Sequence, residues 1–258
     1  MVVFTAHRPD TIKPIRKEPQ LNYLLSPLEE HYDSGFGAMA DAFREAAEVL
    51  CQKEDHKNFF EHLPIAFLLC HAVELYLKSG IVIMHRRLEI PFQNQPPDSQ
   101  PMAIVDGKWK PFHQIHSTKQ LFNYWKHVLE SNSAQLTSVS KYPGVNWVVP
   151  GGLGESIDTI EDADAGGTYY RYPMTSGKRS DMEKSGFKAT SVDDIIANLE
   201  LTGKKVTTVL VENEHGQVVR SFAHDDATET KQTEALSAAV KALNGFDGMM
   251  RFNLTNTW

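Results

Sequence analysis

Cysteine is scarce in this chain: its 258 residues include two, Cys51 and Cys70. Two thiols cannot build a disulfide framework or a four-thiolate metal site, so a reducing cytoplasm is the expected compartment. Positive charge is also in deficit, with 26 Lys+Arg against 33 Asp+Glu and a formal net charge of -7. That balance excludes a generally basic, phosphate-coating protein. The opening MVVFTAHRPDTIKPIRKEPQ has charges and prolines where a secretory signal needs an unbroken apolar run, so export is not expected. The most apolar stretch, Leu63 to Met84, carries His71, Glu74 and Lys78 near its middle. A central Asp, Lys or Arg costs roughly 2.5 to 3.5 kcal/mol on insertion and Glu is similar, which favours a buried bundle helix over a membrane span. A G-x-S-x-G nucleophile motif is missing, and Gly151-Gly152-Leu153-Gly154 follows no clear strand and lacks the Lys-Ser/Thr ending of a phosphate loop. Cys70, inside an apolar helix, reads as a small core residue rather than a nucleophile.

What is present suits a sizeable core: hydrophobic residues make up 41% of the chain and charged residues 23%, the balance of an ordinary globular protein. Residues 1–32 read as a Pro-rich, basic arm, and 33–258 as one helical domain. After an Asp33-Ser34 start signal, Phe36, Met39, Ala40, Phe43, Ala46, Ala47 and Leu50 form a one-faced helical stripe ending near Cys51 to Lys53. A second helix, from about Asn58 to His85, is apolar nearly all round, which places it at the centre of a bundle. Residues 91–112 break the pattern as an insertion whose Asp106-Gly107 suits a tight hairpin turn. Ser117 with Gln120 makes a capping-box start for a third helix with Leu121, Phe122, Trp125, Val128 and Leu129 inside. Ser131 to Gly154 is expected as a long loop, and Glu155 to about Asp162 as a short helix ended by Gly166-Gly167.

A C-terminal helical extension begins at about residue 191, with Ser191 as cap and Val192, Ile195, Ile196, Leu199, Val206, Val209 and Leu210 at helical spacing. The competing reading pairs Val206 to Glu212 with Gln217 to Phe222 as a hairpin across Asn213 to Gly216; the helical period is preferred. Glu229 to Leu243 is the last helix, ending at Asn244-Gly245. The fold class expected from this pattern is all-α, an up-and-down helical bundle with a small β-hairpin insertion.

The polar residues of the second helix are not scattered. His71, Glu74, Lys78 and His85 follow one another at i, i+3, i+7 and i+14 and share one longitudinal seam. Two readings stay open. On a solvated stripe, the Glu74/Lys78 pair contributes only about 0.2 to 0.5 kcal/mol. On a helix with no spare solvent face, the charges are partly buried and need partners, for which Arg171 and His116 are the candidates. His71-x-x-Glu74 and His113-x-x-His116 carry ligand-capable side chains at helical spacing, but di-metal bundles use Glu-x-x-His in the opposite order, so neither metal nor cofactor is expected.

Three elements in this order resemble the HEPN superfamily of helical proteins. They are His71-Ala72-Val73-Glu74-Leu75-Tyr76-Leu77-Lys78, preceded by the Asp41-Ala42-Phe43-x-x-Ala46-Ala47 helix; His116-Ser117 before a capped helix; and Tyr170-Arg171-Tyr172-Pro173. The resemblance spans roughly Gly35 to Pro173, with Val192 to Val211 as the following bundle helix. It implies a homodimer with an RNA-associated role in prokaryotic defence or toxin–antitoxin systems, an antitoxin or defence-operon protein as partner, and activity as a metal-independent endoribonuclease. The family's Arg and His, four to six residues apart, are not found: Arg171 is followed by Tyr-Pro-Met-Thr-Ser-Gly-Lys, and Arg220 reaches His224 after three residues. Two functions therefore stand side by side. In the enzyme, His116 or His71 serves as acid/base while Arg171 or Lys78 stabilises phosphorane charge, with Glu74 in the same site. In the alternative, the same side chains form a buried network in a catalytically inactive binding or dimerisation module.

Overall fold

A computed structural model of the chain describes residues 26–52, 62–164, 167–172, 174, 181, 184–203, 206–224 and 227–255. Most of the arm, Asn58 to Glu61 at the expected start of the second helix, Gly166 and Pro173 lie outside the described residues. The elements in chain order are α1 (Phe36–Cys51), α2 (His62–Arg87), β1 (Met102–Val105), β2 (Lys108–Pro111), α3 (Thr118–Ser131), α4 (Ser133–Val139), α5 (Leu153–Ala163), β3 (Phe187–Ala189), α6 (Val192–Thr202), β4 (Thr208–Glu212), β5 (Val218–His224) and α7 (Ala227–Leu254).

Every residue of α2 from Ala72 to His85 is buried, polar ones included. This follows from its all-round apolar composition, which leaves no face for water, so α1, α3 and α7 pack around it. By length and composition α2 could cross a membrane, yet 78% of its most apolar window is buried within the protein, as in the core helix of a soluble protein. Asp33 starts α1 from two residues before the N-cap: its carboxylate accepts from Gly35 N at 3.0 Å and Gly37 N at 2.7 Å. The hairpin β1–β2 turns at Asp106 and Gly107, both at positive φ (53° and 73°), as a two-residue type I′ turn requires.

The expectation of an all-α fold is overturned. Among the described residues the fold is helix-dominated but mixed, with seven helices and two small antiparallel sheets. The helix expected to run on to Val211 ends at Gly203, which caps α6 in the left-handed conformation at φ 65°. Beyond it the run Thr207-Thr208-Val209-Leu210-Val211, β-branched at every position but Leu210, pairs with β5, and β3 completes a sheet of order β3-β5-β4. Apolar spacing at Val206, Val209 and Leu210 satisfies either period over so short a segment, and β-branching favours the strand. The loop expected between Ser131 and Gly154 contains α4, which is anchored by buried Leu136. The last helix does not stop at Asn244-Gly245 but continues to Leu254, because Phe246, Asp247, Met250 and Leu254 are buried in the bundle; that packing outweighs about 1 kcal/mol of helix propensity lost at each of Gly245 and Gly248.

A buried polar cluster fastens α7 to α1 and α2. Ser79 Oγ lies 2.8 Å from Asp33 Oδ2 and 2.6 Å from Asp247 Oδ1. A hydroxyl has one proton to donate, so both contacts are hydrogen bonds only when one carboxyl is protonated. Burial pushes the Asp247 carboxyl up to about 7, against the pull of Arg251, and makes it the proton carrier. Arg251 reaches Asp247 Oδ2 at 2.8 Å, Asp33 at 3.4 Å and Asp41 at 3.7 Å, and Tyr76 donates to Asp41 at 2.6 Å.

Candidate functional site

Glu74 lies on α2 one helical turn before Lys78, and both side chains are about 5% exposed. Lys78 Nζ donates to Glu74 Oε1 at 2.6 Å, so the solvated-stripe reading does not describe this pair. Around the same carboxylate are His116 Nδ1, 3.5 Å from Oε1; Arg171 Nη2, 3.7 Å from Oε2; and His71 Nδ1, 3.9 Å from Oε2. Those three distances are longer than hydrogen bonds and place the groups in charge contact. All five residues singled out from the sequence thus meet at one carboxylate, which serves as the floor of a recess lined by Phe67, Cys70, Thr118, Asp164 and Gly167 in addition to four of the five. Lys78 sits behind that lining, its ammonium 5.9 Å from the ring centre of Phe112.

Separate segments bring the outer groups in. His116 stands immediately before α3, whose first turn is held by Glu161 of α5: Ser117 Oγ donates to Glu161 Oε1 at 2.9 Å, and Lys119 N donates to Oε2 at 3.2 Å. Ser117 also accepts from Gln120 N at 3.1 Å as the N-cap. Arg171 follows a turn organised by buried Asp164, whose Oδ1 accepts from Tyr169 N at 2.8 Å. Its guanidinium carbon lies 5.7 Å from the centre of the Phe67 ring. Between the two is Gly167 at φ 68°, where a Cβ would come within 3.3 Å of His116 Cβ; the turn needs a residue with no side chain to approach so closely. Sequence reasoning missed Glu161, Asp164 and Gly167. Carboxylates on a neighbouring helix carry no local signal of the distant donors they satisfy.

Electrostatics separate the members. Burial acts to raise the Glu74 carboxyl, but His71 and Lys78 outweigh it and hold it at about 2, so Glu74 is an anion at neutral pH. Burial pushes the Asp164 carboxyl up, opposed by the backbone N–H groups of Tyr169 and Thr168. The Cys70 thiol is pushed far up by burial and supplies no thiolate. His71 stacks parallel to Phe67 and edge-on to Phe43, which fixes its ring. His116 and Arg171 are the solvent-facing members, with side chains 43% and 30% exposed.

His85 shares the seam but not the site. It lies about 17 Å further along the axis at 1.5 Å per residue. There Nδ1 faces Ile90 O at 3.1 Å, Nε2 faces Tyr124 Oη at 3.0 Å, and the ring stacks on Phe92. Burial pulls its pKa down to about 4, so it is a neutral core histidine. His113 also lies outside the recess, exposed beside Gln100. Among the described residues, no three His, Cys, Asp or Glu side chains gather to hold a metal ion.

Chemically, the recess combines a fixed anion, two imidazoles and a solvent-facing guanidinium. Such a set can move a proton and neutralise a developing negative charge at one place. Compared with family models, curated proteins and solved structures, the chain matches none.

Proposed function

We propose that the Glu74 recess is a metal-independent acid–base site that cleaves RNA, as the HEPN resemblance implies, in the cytoplasm of a prokaryote and in a defence or toxin–antitoxin setting. One observation carries the reading: His116 and Arg171, from segments far apart in the chain, both reach the carboxylate of Glu74 while keeping a solvent-facing side. This placement supplies through space the Arg/His pairing that the linear spacing lacks. In a chain of net charge -7, it also turns the Arg171 guanidinium toward solvent where a phosphodiester would bind.

In this mechanism His116 takes the proton of a ribose 2′-hydroxyl, and the oxygen attacks the adjacent phosphorus. Arg171 neutralises the charge that builds on the phosphorane oxygens. His71 donates a proton to the departing 5′-oxygen, leaving a 2′,3′-cyclic phosphate and a 5′-hydroxyl. Glu74 orients the imidazoles, and Lys78 keeps Glu74 ionised.

The buried Glu74/Lys78 bond favours a second reading, a catalytically inactive module in which the network sets helix register and the protein binds an antitoxin or another defence-operon protein. Incubating wild type, Arg171→Ala and His116→Ala with mixed single-stranded RNA in chelator separates the two. Cleavage with cyclic phosphate ends that both substitutions abolish supports the enzyme. Intact RNA throughout supports the module.

A further inference from the structure

Arg171 meets the recess through contacts looser than its proposed role needs. Its guanidinium lies 3.7 Å from Glu74 Oε2 and 5.7 Å from the Phe67 ring centre, a charge contact and a ring contact rather than hydrogen bonds. A side chain so tied takes its position from its backbone, and that backbone is a turn in which Arg171 N and Tyr172 N both donate to Thr168 O at 3.2 Å. The residues on either side of Arg171 are each fastened to a distant segment. On one side Tyr170 Oη donates to Gln232 Oε1 of α7 at 2.9 Å. On the other Lys184 Nζ donates to Tyr172 O at 2.7 Å.

Lysine is seldom buried, yet the Lys184 side chain is only 7% exposed. Its ammonium also donates to Asp181 Oδ1 at 2.7 Å and lies 4.7 Å from the centre of the Tyr169 ring, so the desolvated charge has an anion, a carbonyl and an aromatic face as partners. Asp181, three residues away, accounts only for a local ion pair. The bond to Tyr172 O, twelve residues back, joins two segments, and its charge makes it stronger than a neutral hydrogen bond. Lys184 stands shortly before Phe187, the first residue of β3, so this side chain ties the Arg171 turn to the approach of the three-stranded sheet.

We propose that Lys184 is a positioning residue for Arg171: with Gln232 on the opposite side it clamps the turn at 168–172, so that the guanidinium is held at the Glu74 recess facing the scissile phosphate. The identity of that phosphate rests on the cleavage reading above, whereas the clamp is a statement about where Arg171 is held. Lys184 acts through the backbone of Tyr172 and not on the substrate.

Lys184→Met, which keeps the apolar stem and removes the ammonium, tests the clamp in two measurements on the full chain. In RNA cleavage kcat is expected to fall at least about tenfold with KM nearly unchanged, because the transition-state charge loses an aligned guanidinium. In an Arg171→Ala background the same substitution is expected to cost no more than about twofold, since no guanidinium is left to align; a merely structural loss would be additive. Modification by phenylglyoxal, mapped by peptide mass spectrometry, is expected to be several-fold faster at Arg171 in Lys184→Met than in wild type, with the 13% exposed Arg251 unchanged as the gauge of the bundle. An unchanged kcat, or an equal loss in the Arg171→Ala background, overturns the proposal. If wild type leaves RNA intact, the cleavage reading falls and the modification rate alone decides: a faster rate at Arg171 supports the clamp and an unchanged rate overturns it. If Arg251 also reacts faster, the fold has loosened generally, and Tyr170→Phe, which removes the bond to Gln232, replaces Lys184→Met with the same outcomes.

Discussion

His116 Nδ1 lies 3.5 Å from the Glu74 oxygen that accepts the Lys78 hydrogen bond. One buried oxygen thus serves a buried ammonium and a solvent-facing imidazole, so stability and chemistry rest on the same atom.

Glu74→Ala leaves Lys78 buried without its partner and is expected to cost about 3 to 5 kcal/mol, the range for breaking a buried pair. Lys78→Met in the Glu74→Leu background should recover most of that loss. Urea unfolding of the three proteins checks both expectations, and a loss of a few tenths for Glu74→Ala would mean that the pair is not buried in solution.

His116→Ala is expected to lower RNA cleavage by about 10²- to 10⁴-fold, the usual range for an acid–base group, and Arg171→Ala by about 10²- to 10³-fold, the range for losing one charge-stabilising donor, with little change in melting temperature because both side chains are partly exposed. Arg171→Lys should not restore the rate if the guanidinium fork contacts the phosphate. Initial rates on a defined single-stranded RNA, alongside thermal unfolding of each variant, give the comparison.

Two carboxyls give stability opposite slopes with pH. Glu74 titrates at about 2 in the folded protein against a reference of 4.5, so its contribution is present above about pH 5 and is lost as pH falls toward 2. Asp247 titrates at about 7 against 3.8, so the folded state holds a proton that the unfolded chain has released; its contribution is full below about pH 4 and is lost as pH rises through 7. Stability is therefore expected to decline between pH 5 and 8. Asp247→Asn, which mimics the protonated form beside Ser79, should flatten that decline, and chemical denaturation at pH 5, 6.5 and 8 provides the measurement.

Glu161→Ala removes the acceptor that Ser117 and the Lys119 backbone share. The expected cost is about 1 to 2 kcal/mol of stability, with a fall in cleavage caused by loss of order at His116 rather than by lost substrate contact. A raised rate or unchanged stability would remove Glu161 from its positioning role.

The line of the Glu74 seam is legible because the 3.6-residue period alone puts His71, Glu74 and Lys78 on one side of the helix; whether it is a solvated stripe or a buried cluster stays open in the sequence, and tertiary packing decides it. His85 shows where that reasoning stops, since sharing a line on a helix does not mean sharing a site. The β4–β5 hairpin and a continued helix compete in the sequence, because three apolar positions over five residues match either period about equally well. Gly245 misled for a different reason: local propensity marks a helix end, and only burial of Phe246 and Met250 against the bundle carries α7 through it.

By itself the amino-acid sequence determined the central helix, its polar line, the capped start at Ser117 and the turn at Asp106-Gly107, because each depends on residues within a few positions of one another. Tertiary structure alone decided that Glu161 and Asp164 would hold the segments bearing His116 and Arg171, that Asp247 would share a hydroxyl with Asp33, and that β3 would join the β4–β5 hairpin, which the sequence offers as its competing reading. Those outcomes come from burial and hydrogen bonding between segments far apart in the chain, whose energies no local pattern encodes.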